Sequence, residues 1–316
     1  MSAVLMLLLA GGCVLAPTPT LTRFEFQQPH MGTLFTITLY APNETEARSA
    51  SDAAFARIAA LNAMMTDYDS ESELMQLCKK PVGQPVAVSA ELFAVLQKGQ
   101  RLAEQSDGAF DVTIGPIVRQ WRRARRTGEL PSPDQLARAR AAVGWQKLKL
   151  DERNRTATLL APGMQLDLGG IAKGYAADEA LAVLRAHGIS RALVAASGDI
   201  AAGAAPPGQP GWRVSIGGTG SGAAPPSPLV LKHAAVSTSG DAEQFVEIAG
   251  VRYSHIVDPR TGVGLTNRLQ ATVIARHASE TDAFATTVCV LGVERGTKLV
   301  KSQPGMKVIF LSAAAR

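Results

Sequence analysis

The chain has 316 residues, of which 46% are hydrophobic and 19% charged, with a formal net charge of +5. This length carries one large domain or two smaller ones on a shared core, and the composition is that of an ordinary globular protein. There is no lysine-rich tail and no interleaving of aromatic with basic residues, which argues against nucleic acid as a partner.

The first residues, MSAVLMLLLAGGCVLAPTPT, form an apolar run too short to span a bilayer and suited to a signal-peptide core. Leu9-Ala10-Gly11-Gly12-Cys13 looks like a lipobox, which predicts export and a lipid anchor at Cys13. Residues 14–22, with Pro17 and Pro19, read as a tether. The expected organisation is a signal and tether over residues 1–22 and a single domain over 23–316. Beyond Cys13 only Cys78 and Cys289 remain, too few for a disulfide framework and not spaced as a zinc site. Cys289 falls in an apolar helical pattern and reads as a small buried hydrophobe.

Two strand-like runs are expected within residues 24–40. The second, residues 34–40, alternates apolar and polar positions. Residues 44–65 keep Ala47, Ala50, Ala54, Ile58 and Leu61 at helical spacing, predicting an amphipathic helix. A polar loop follows, with Tyr68 able to offer a ring to a flat ligand and Ser70 with Glu73 as a capping pair. Residues 85–88 read as a short strand, and residues 89–106 as a helix capped by Ser89. Residues 107–116, with two acids, two glycines and a proline, form an irregular loop of the kind that carries function. Five arginines in residues 119–126 are expected on a solvated helix face. A short helix over 131–143 and a hairpin of 148–150 with 156–160 come next.

Residues 166–175, LDLGGIAKGY, are read as a short apolar strand that turns through Gly169-Gly170 into a helix reaching Gly188. A helix N-terminus reached through glycines presents free N–H groups and the positive end of the dipole, which suits phosphate. Lys173 in the first turn can add a charge. The plain alternative is a tight strand–helix corner with a solvated lysine. Residues 192–196 read as a buried strand, followed by a second small-residue turn bearing Asp199. Gly/Ala/Pro-rich residues 201–211 and 217–228 read as surface loops flanking a strand at 212–216. Residues 234–241 run from a strand into a hydroxyl-rich turn. Residues 245–248 and 251–253 form a hairpin, 271–275 a strand, and 278–291 a helix with Ser279 as cap and Gly292 as stop. Residues 308–311 close as a strand.

Asp282 and Thr286 are four apart and share a helix face, where two oxygens can meet a hard cation such as magnesium. The backbone of the Gly169-Gly170 turn can complete such a set. His255 and Asp258 flank a turn constrained by Pro259 and Gly262, and a histidine held there suits a general base. Taken together these features fit phosphoryl chemistry on a bound nucleotide.

Met31-Gly32-Thr33, the loop at 67–74, Gly108-Ala109-Phe110-Asp111, residues 166–175, Ser237-Thr238-Ser239-Gly240-Asp241, residues 254–262 and residues 281–286 occur in one order across residues 24–292. As a set they resemble the FAD:protein FMN transferase family. The resemblance implies an α+β, T-fold-like architecture, antiparallel sheets backed by helices, with FAD in a cleft between lobes. It implies flavin contacts at Met31, Tyr68, Ala109, Phe110, Asp111, Asp167, Lys173 and Ile256. It implies Mg²⁺ held by the Gly170 carbonyl, Asp282 and Thr286, and a catalytic His255. Some members carry an acid where this chain has Ala285, so that metal contact is expected to be missing or to come from backbone. FAD would be the substrate and subunits of membrane redox complexes or exported reductases the acceptors, at the periplasmic face of the inner membrane. Two other readings stay open: an FAD pyrophosphatase on the same scaffold, and a non-catalytic flavin-binding lipoprotein.

Overall fold

The computed structural model describes residues 20–216, 228–241 and 244–312. The lipobox with Cys13 and most of the tether lie outside these residues, as does nearly all of the loop expected at 217–228.

In chain order the elements are β1 (Thr22–His30), β2 (Thr33–Ala41), α1 (Glu44–Met65), α2 (Glu73–Cys78), β3 (Val86–Ala87), α3 (Ala90–Gln105), α4 (Gly115–Thr127), α5 (Pro133–Ala141), β4 (Leu148–Asp151), β5 (Thr156–Leu159), α6 (Ala172–Ala186), β6 (Ala192–Ala196), β7 (Asp199–Ala202), β8 (Trp212–Val214), β9 (Leu229–Leu231), β10 (Ala234–Ser239), β11 (Phe245–Ile248), β12 (Val251–Ser254), β13 (Val257–Asp258), β14 (Val263–Gly264), β15 (Leu269–Ala275), α7 (Ala278–Lys301) and β16 (Lys307–Ser312). Seven strands form the central sheet in the order β1-β2-β6-β7-β10-β15-β16, every neighbouring pair antiparallel. The expected antiparallel sheet backed by helices is therefore what the chain builds.

The local reasons are visible in the side chains. Phe35, Ile37, Leu39 and Ala41 alternate along β2 and are fully buried on one face of the sheet. The turn before them is Met31-Gly32, with φ of 49° and 71°, the pair of positive values a two-residue type I′ hairpin requires. α1 starts where Asn43 accepts a hydrogen bond from Glu46 N and buries Ala47, Ala50, Ala54, Ile58 and Leu61. α6 lies between α1 and α7 and packs on β6 and β7. Its buried stripe is largely alanine (Ala172, Ala176, Ala177, Ala180), which lets three helices sit close over one sheet. Arg57 of α1 ties Glu91 of α3 and Glu179 of α6 at 3.0 and 2.6 Å. The opposite face of the sheet is covered by the β8–β9 pair through Trp212, Val214 and Leu231. A second, smaller core joins α4 and α5 to β11 and β13 through Ile117, Trp121, Ala139, Val143, Ile248 and Val257.

Several local expectations are corrected. Residues 166–168 are not a strand. The one bridge nearby is parallel and lies just before them, between Ile114 and Gln165, and Asp167 Oδ1 turns back to accept from Gly169 N at 2.8 Å, competing with any ladder. The helix after them starts at Ala172, past both glycines. α2 is capped by Ser72, not Ser70: its Oγ accepts from Met75 N, while Glu73 reaches Ser89 N. Gly292 (φ 75°, ψ 178°) does break the last helix, but the chain resumes helically to Lys301. That helix is capped by Asp178 of α6, whose two carboxylate oxygens accept from Ala278 N and Ser279 N at 2.8 and 2.9 Å; Ser279 itself lies buried in the first turn. Residues 201 and 202, expected in a loop, complete β7.

Cys289 is buried as expected, its thiol donating to the Ser239 carbonyl, and burial pushes it up to about 12. Burial also raises Cys78, whose sulfur accepts from Leu166 N. Because the thiolate is the reactive form, folded protein carrying Cys13→Ser should take up no iodoacetamide at pH 7 over an hour and two equivalents once denatured. Native labelling at either cysteine would show that the packing around it opens.

Candidate active site

The N-terminus of α6 has no side-chain cap of its own. Its cap comes from α7: the buried Asp282 carboxylate accepts from Gly174 N at 3.1 Å. The anion at this helix end is thus the protein's own carboxylate, placed where the dipole favours it. The approach depends on Gly174, since a Cβ there would lie 2.1 Å from Ala278 O and 2.9 Å from Asp282 Cβ. Lys173 Nζ sits among three acceptors: Asp199 Oδ2 at 3.1 Å, Gly169 O at 3.1 Å and Asp282 Oδ2 at 3.4 Å. Burial disfavours its charge, but Asp199 and Asp282 outweigh that and hold the ammonium above its usual range. Burial, followed by the charge of Asp199, pushes the Asp282 carboxyl up, with Lys173 acting against them.

One turn further along α7, Thr286 Oγ1 lies 3.3 Å from Ser239 Oγ at the end of β10. Gly170 backs onto this point: a Cβ there would lie 3.6 Å from Thr286 Oγ1 and 3.2 Å from the Phe110 ring. Phe110, Gly170, Lys173, Asp282 and Thr286, drawn from three separate stretches of sequence, therefore gather in one place. Ala285 is fully buried in the core and offers no side-chain oxygen. Among the described residues no three His, Cys, Asp or Glu side chains gather as a metal cluster. What gathers instead is Asp282 and Asp199 about the Lys173 ammonium, with the hydroxyls of Thr286 and Ser239 and the Gly170 backbone one turn further along α7 supplying only oxygens. That all-oxygen set fits magnesium, which takes few protein ligands and keeps water and phosphate for the rest.

Asp167 is joined to this group through Gly169 N and is itself held by Arg122. The Arg122 guanidinium donates to Asp167 Oδ2 at 3.0 Å and pairs closely with Asp67. Burial, then the Asp67 charge, pushes Asp167 up, and Arg122 opposes both. The same guanidinium lies 4.4 Å from the centre of the Tyr68 ring, which is 80% exposed. The arginines of α4 are thus not all on a solvated face: Arg122 points inward, while Arg119, Arg123, Arg125 and Arg126 are exposed.

Asp111 turns inward to accept from Thr113 N and Thr113 Oγ1 at 2.8 and 2.7 Å, bracing the loop that carries Ala109 and Phe110, both buried. Met31 sits at the β1–β2 tip, packed against the main core, and none of the polar contacts above reaches it. Ile256 is buried, its N–H donating to Ser254 Oγ. His255 precedes it, with its backbone N–H and its Nδ1 both on the Gln244 carbonyl at 3.1 and 3.0 Å. A carbonyl only accepts, so Nδ1 carries the proton and neutral Nε2 keeps its lone pair. Nε2 has no partner among the described residues. The residue keeps an exposed face, yet burial of the ring pushes it below its ordinary value; the Gln244 carbonyl resists, and the charges of Arg125 and Lys173 reinforce the push.

Sequence reasoning missed Arg122, Gly174 and the partnership of Asp199 with Lys173. The acid-bearing turn at Asp199 was visible, but nothing local points from it to a lysine 26 positions earlier. Gly174 had a signal, a glycine inside a helix.

The antiparallel α+β fold brings hard oxygens, a capped helix end and, through Arg122, an exposed aromatic ring to one side of the molecule, an arrangement suited to a ligand with a phosphate and a flat ring. The chain belongs to the ApbE family, whose model matches residues 31–310. A relative from Treponema pallidum (strain Nichols) named FAD:protein FMN transferase is 31% identical over 297 residues, covering 89% of this chain and 82% of its own. One of the same name from Klebsiella pneumoniae (strain 342) is 30% identical over 313 residues, covering 96% and 89%. Among solved structures, the flavin transferase ApbE from Vibrio cholerae superposes with a TM-score of 0.84 at 28% identity, covering 92% of this chain and 94% of its own. The Pseudomonas stutzeri flavinyl transferase ApbE in its apo form gives 0.81 at 27%, covering 93% and 92%.

Proposed function

We propose that this protein transfers FMN from FAD to a Thr or Ser hydroxyl of an acceptor flavoprotein, with Mg²⁺ as cofactor. The observation that carries this is the convergence of Phe110, Gly170, Lys173, Asp282 and Thr286 at the N-terminus of α6. Asp282, Thr286 and the Gly170 carbonyl would hold the metal, which when bound neutralises pyrophosphate charge. The acceptor oxygen forms a new bond to the FMN phosphorus, the bond from that phosphorus to the bridging anhydride oxygen breaks, and AMP leaves with that oxygen and its electron pair. His255 Nε2 takes the hydroxyl proton. Lys173 and the α6 N-terminus fix the Asp282 carboxylate in place, and the ammonium offsets the charge of Asp199 and Asp282 beside the reacting phosphates. Met31, Tyr68, Ala109, Phe110, Asp111, Asp167 and Ile256 are assigned to the flavin. Export, with lipid attachment at Cys13 to the outer face of the inner membrane, completes the reading and rests on the lipobox pattern alone.

A nucleotide balance tests the reaction class. With FAD, Mg²⁺ and an acceptor subunit, AMP should appear while flavin moves into the protein fraction in equal amount. AMP with an equal amount of free FMN would instead establish the pyrophosphatase. If His255 is the base, its lowered pKa keeps Nε2 unprotonated to lower pH than a free imidazole. Turnover should then hold through pH 7 and fall only below about 6.5. A limb centred well above that value, or one unchanged in His255→Ala, would remove His255 from the role.

A further inference from the structure

We propose that Arg122 is the positioning residue for the flavin end of this site: it clamps Asp67 and Asp167 together and anchors the Tyr68 ring so that one face stays open to a flat heteroaromatic ligand. This rests on the reading that the chain binds FAD. Tyr68 is 80% exposed, so little packing fixes its ring. The guanidinium 4.4 Å from the ring centre supplies that fixing through a cation–π contact. The side chains of Asp67 and Asp167 are mostly buried, 16% and 10% exposed, and carry like charges that, among the described residues, Arg122 alone bridges. Asp167 in turn accepts from Gly169 N, so the clamp passes its position on to the Gly169-Gly170 turn.

The arginine's own direction is built in. Its neighbour Trp121 is locked inward, with Nε1 donating to Gly262 O at 2.8 Å and its ring 5.1 Å from Tyr253. Successive side chains on a helix are about 100° apart, so fixing Trp121 aims Arg122 out of the small core and across to Asp67 and Asp167. A purely structural staple needs the two carboxylates but not an exposed ring stacked on it. A lysine cannot replace this geometry, because it lacks the planar fork that meets two carboxylates and a ring at once.

The test uses the full-length protein, FAD titrated without Mg²⁺ and read by flavin fluorescence quenching, followed by steady-state turnover with Mg²⁺. Arg122→Gln should raise the FAD Kd and KM about tenfold and weaken the quench at saturation, with kcat within about threefold of wild type. Arg122→Lys should recover only part of the affinity. Combined with Tyr68→Ala, Arg122→Gln should lose clearly less than the product of the single losses, because both act on one ring. The proposal is overturned by wild-type Kd and quench in Arg122→Gln, or by fully multiplicative losses in the double variant. If Arg122→Gln proves unstable, full recovery of affinity and quench by Arg122→Lys also overturns it. Wild-type protein that binds FAD but releases no AMP would sink the transfer reading and leave the Arg122 proposal to the Kd values. Failure to bind FAD would sink both.

Discussion

Gly174→Ala is expected to unfold at a midpoint about 5 °C lower than wild type and to lose at least about tenfold in turnover. The added Cβ would meet Ala278 O at 2.1 Å, Ala278 C at 2.5 Å and Asp282 Cβ at 2.9 Å. All three contacts belong to α7, two of them backbone, so no rotamer change relieves them and α6 must move off α7. Alanine in place of glycine inside a helix contributes about 1 kcal/mol in its favour, while forced overpacking costs about 1–3 kcal/mol and sometimes more. Here the clash is severe enough for the cost to win. Activity falls with stability because the hydrogen bond from Gly174 N to Asp282 is part of the same contact. Thermal unfolding and FAD turnover check this together. Wild-type values in both would mean that the two helices separate cheaply and that Asp282 does not depend on Gly174.

Asp282→Asn should behave in the opposite way, with turnover down at least about 100-fold and metal-free stability undiminished at neutral pH. The sign follows from its environment. Burial and Asp199 raise the Asp282 pKa above its unfolded value. Such a carboxyl favours the fold in its protonated form, and that contribution is lost as pH rises through the folded pKa. At neutral pH the ionised group is therefore kept at a cost to stability, and the neutral amide removes the cost while abolishing the charge a cation needs. Turnover with and without Mg²⁺, and unfolding in EDTA, separate the two effects. Retained Mg²⁺-dependent turnover in the variant would remove Asp282 from the metal site, and a large loss of stability would make it a structural residue first.

These two residues also show what the sequence could reveal. The spacing of Asp282 and Thr286 put both on one helix face, and the regular alanine and leucine stripe of residues 44–65 gave α1 to the residue, because such signals are written within a few positions. The Ser72 cap was harder. Ser70 and Ser72 both precede the helix, and the choice is made by Ser72 Oγ also donating to Thr66 O at 2.6 Å, a contact with the end of α1. The cap of α7 by Asp178 and the bridge from Arg122 to Asp67 and Asp167 join residues 45 to 101 positions apart. No periodicity encodes such pairs; they follow from where the sheet order places the loops. Residues 166–168 looked like a strand from their apolar pattern, yet Asp167 uses its side chain on its own turn, and a local bond of that kind outcompetes a ladder with no full-length neighbour. The Gly169-Gly170 turn was legible as a partner of Asp282 and Thr286 from the sequence, whereas the Phe110 ring against Gly170 follows only from how the loop packs on α6 and α7.

The intact mass of an acceptor flavoprotein subunit, after incubation with FAD, Mg²⁺ and this protein, tests the central claim most directly. The expected result is a gain of one FMN less one water on a single Thr or Ser, released AMP in equal amount, and neither change when His255→Ala or Asp282→Asn replaces the wild type. An acceptor of unchanged mass while FAD is consumed to FMN and AMP would contradict it.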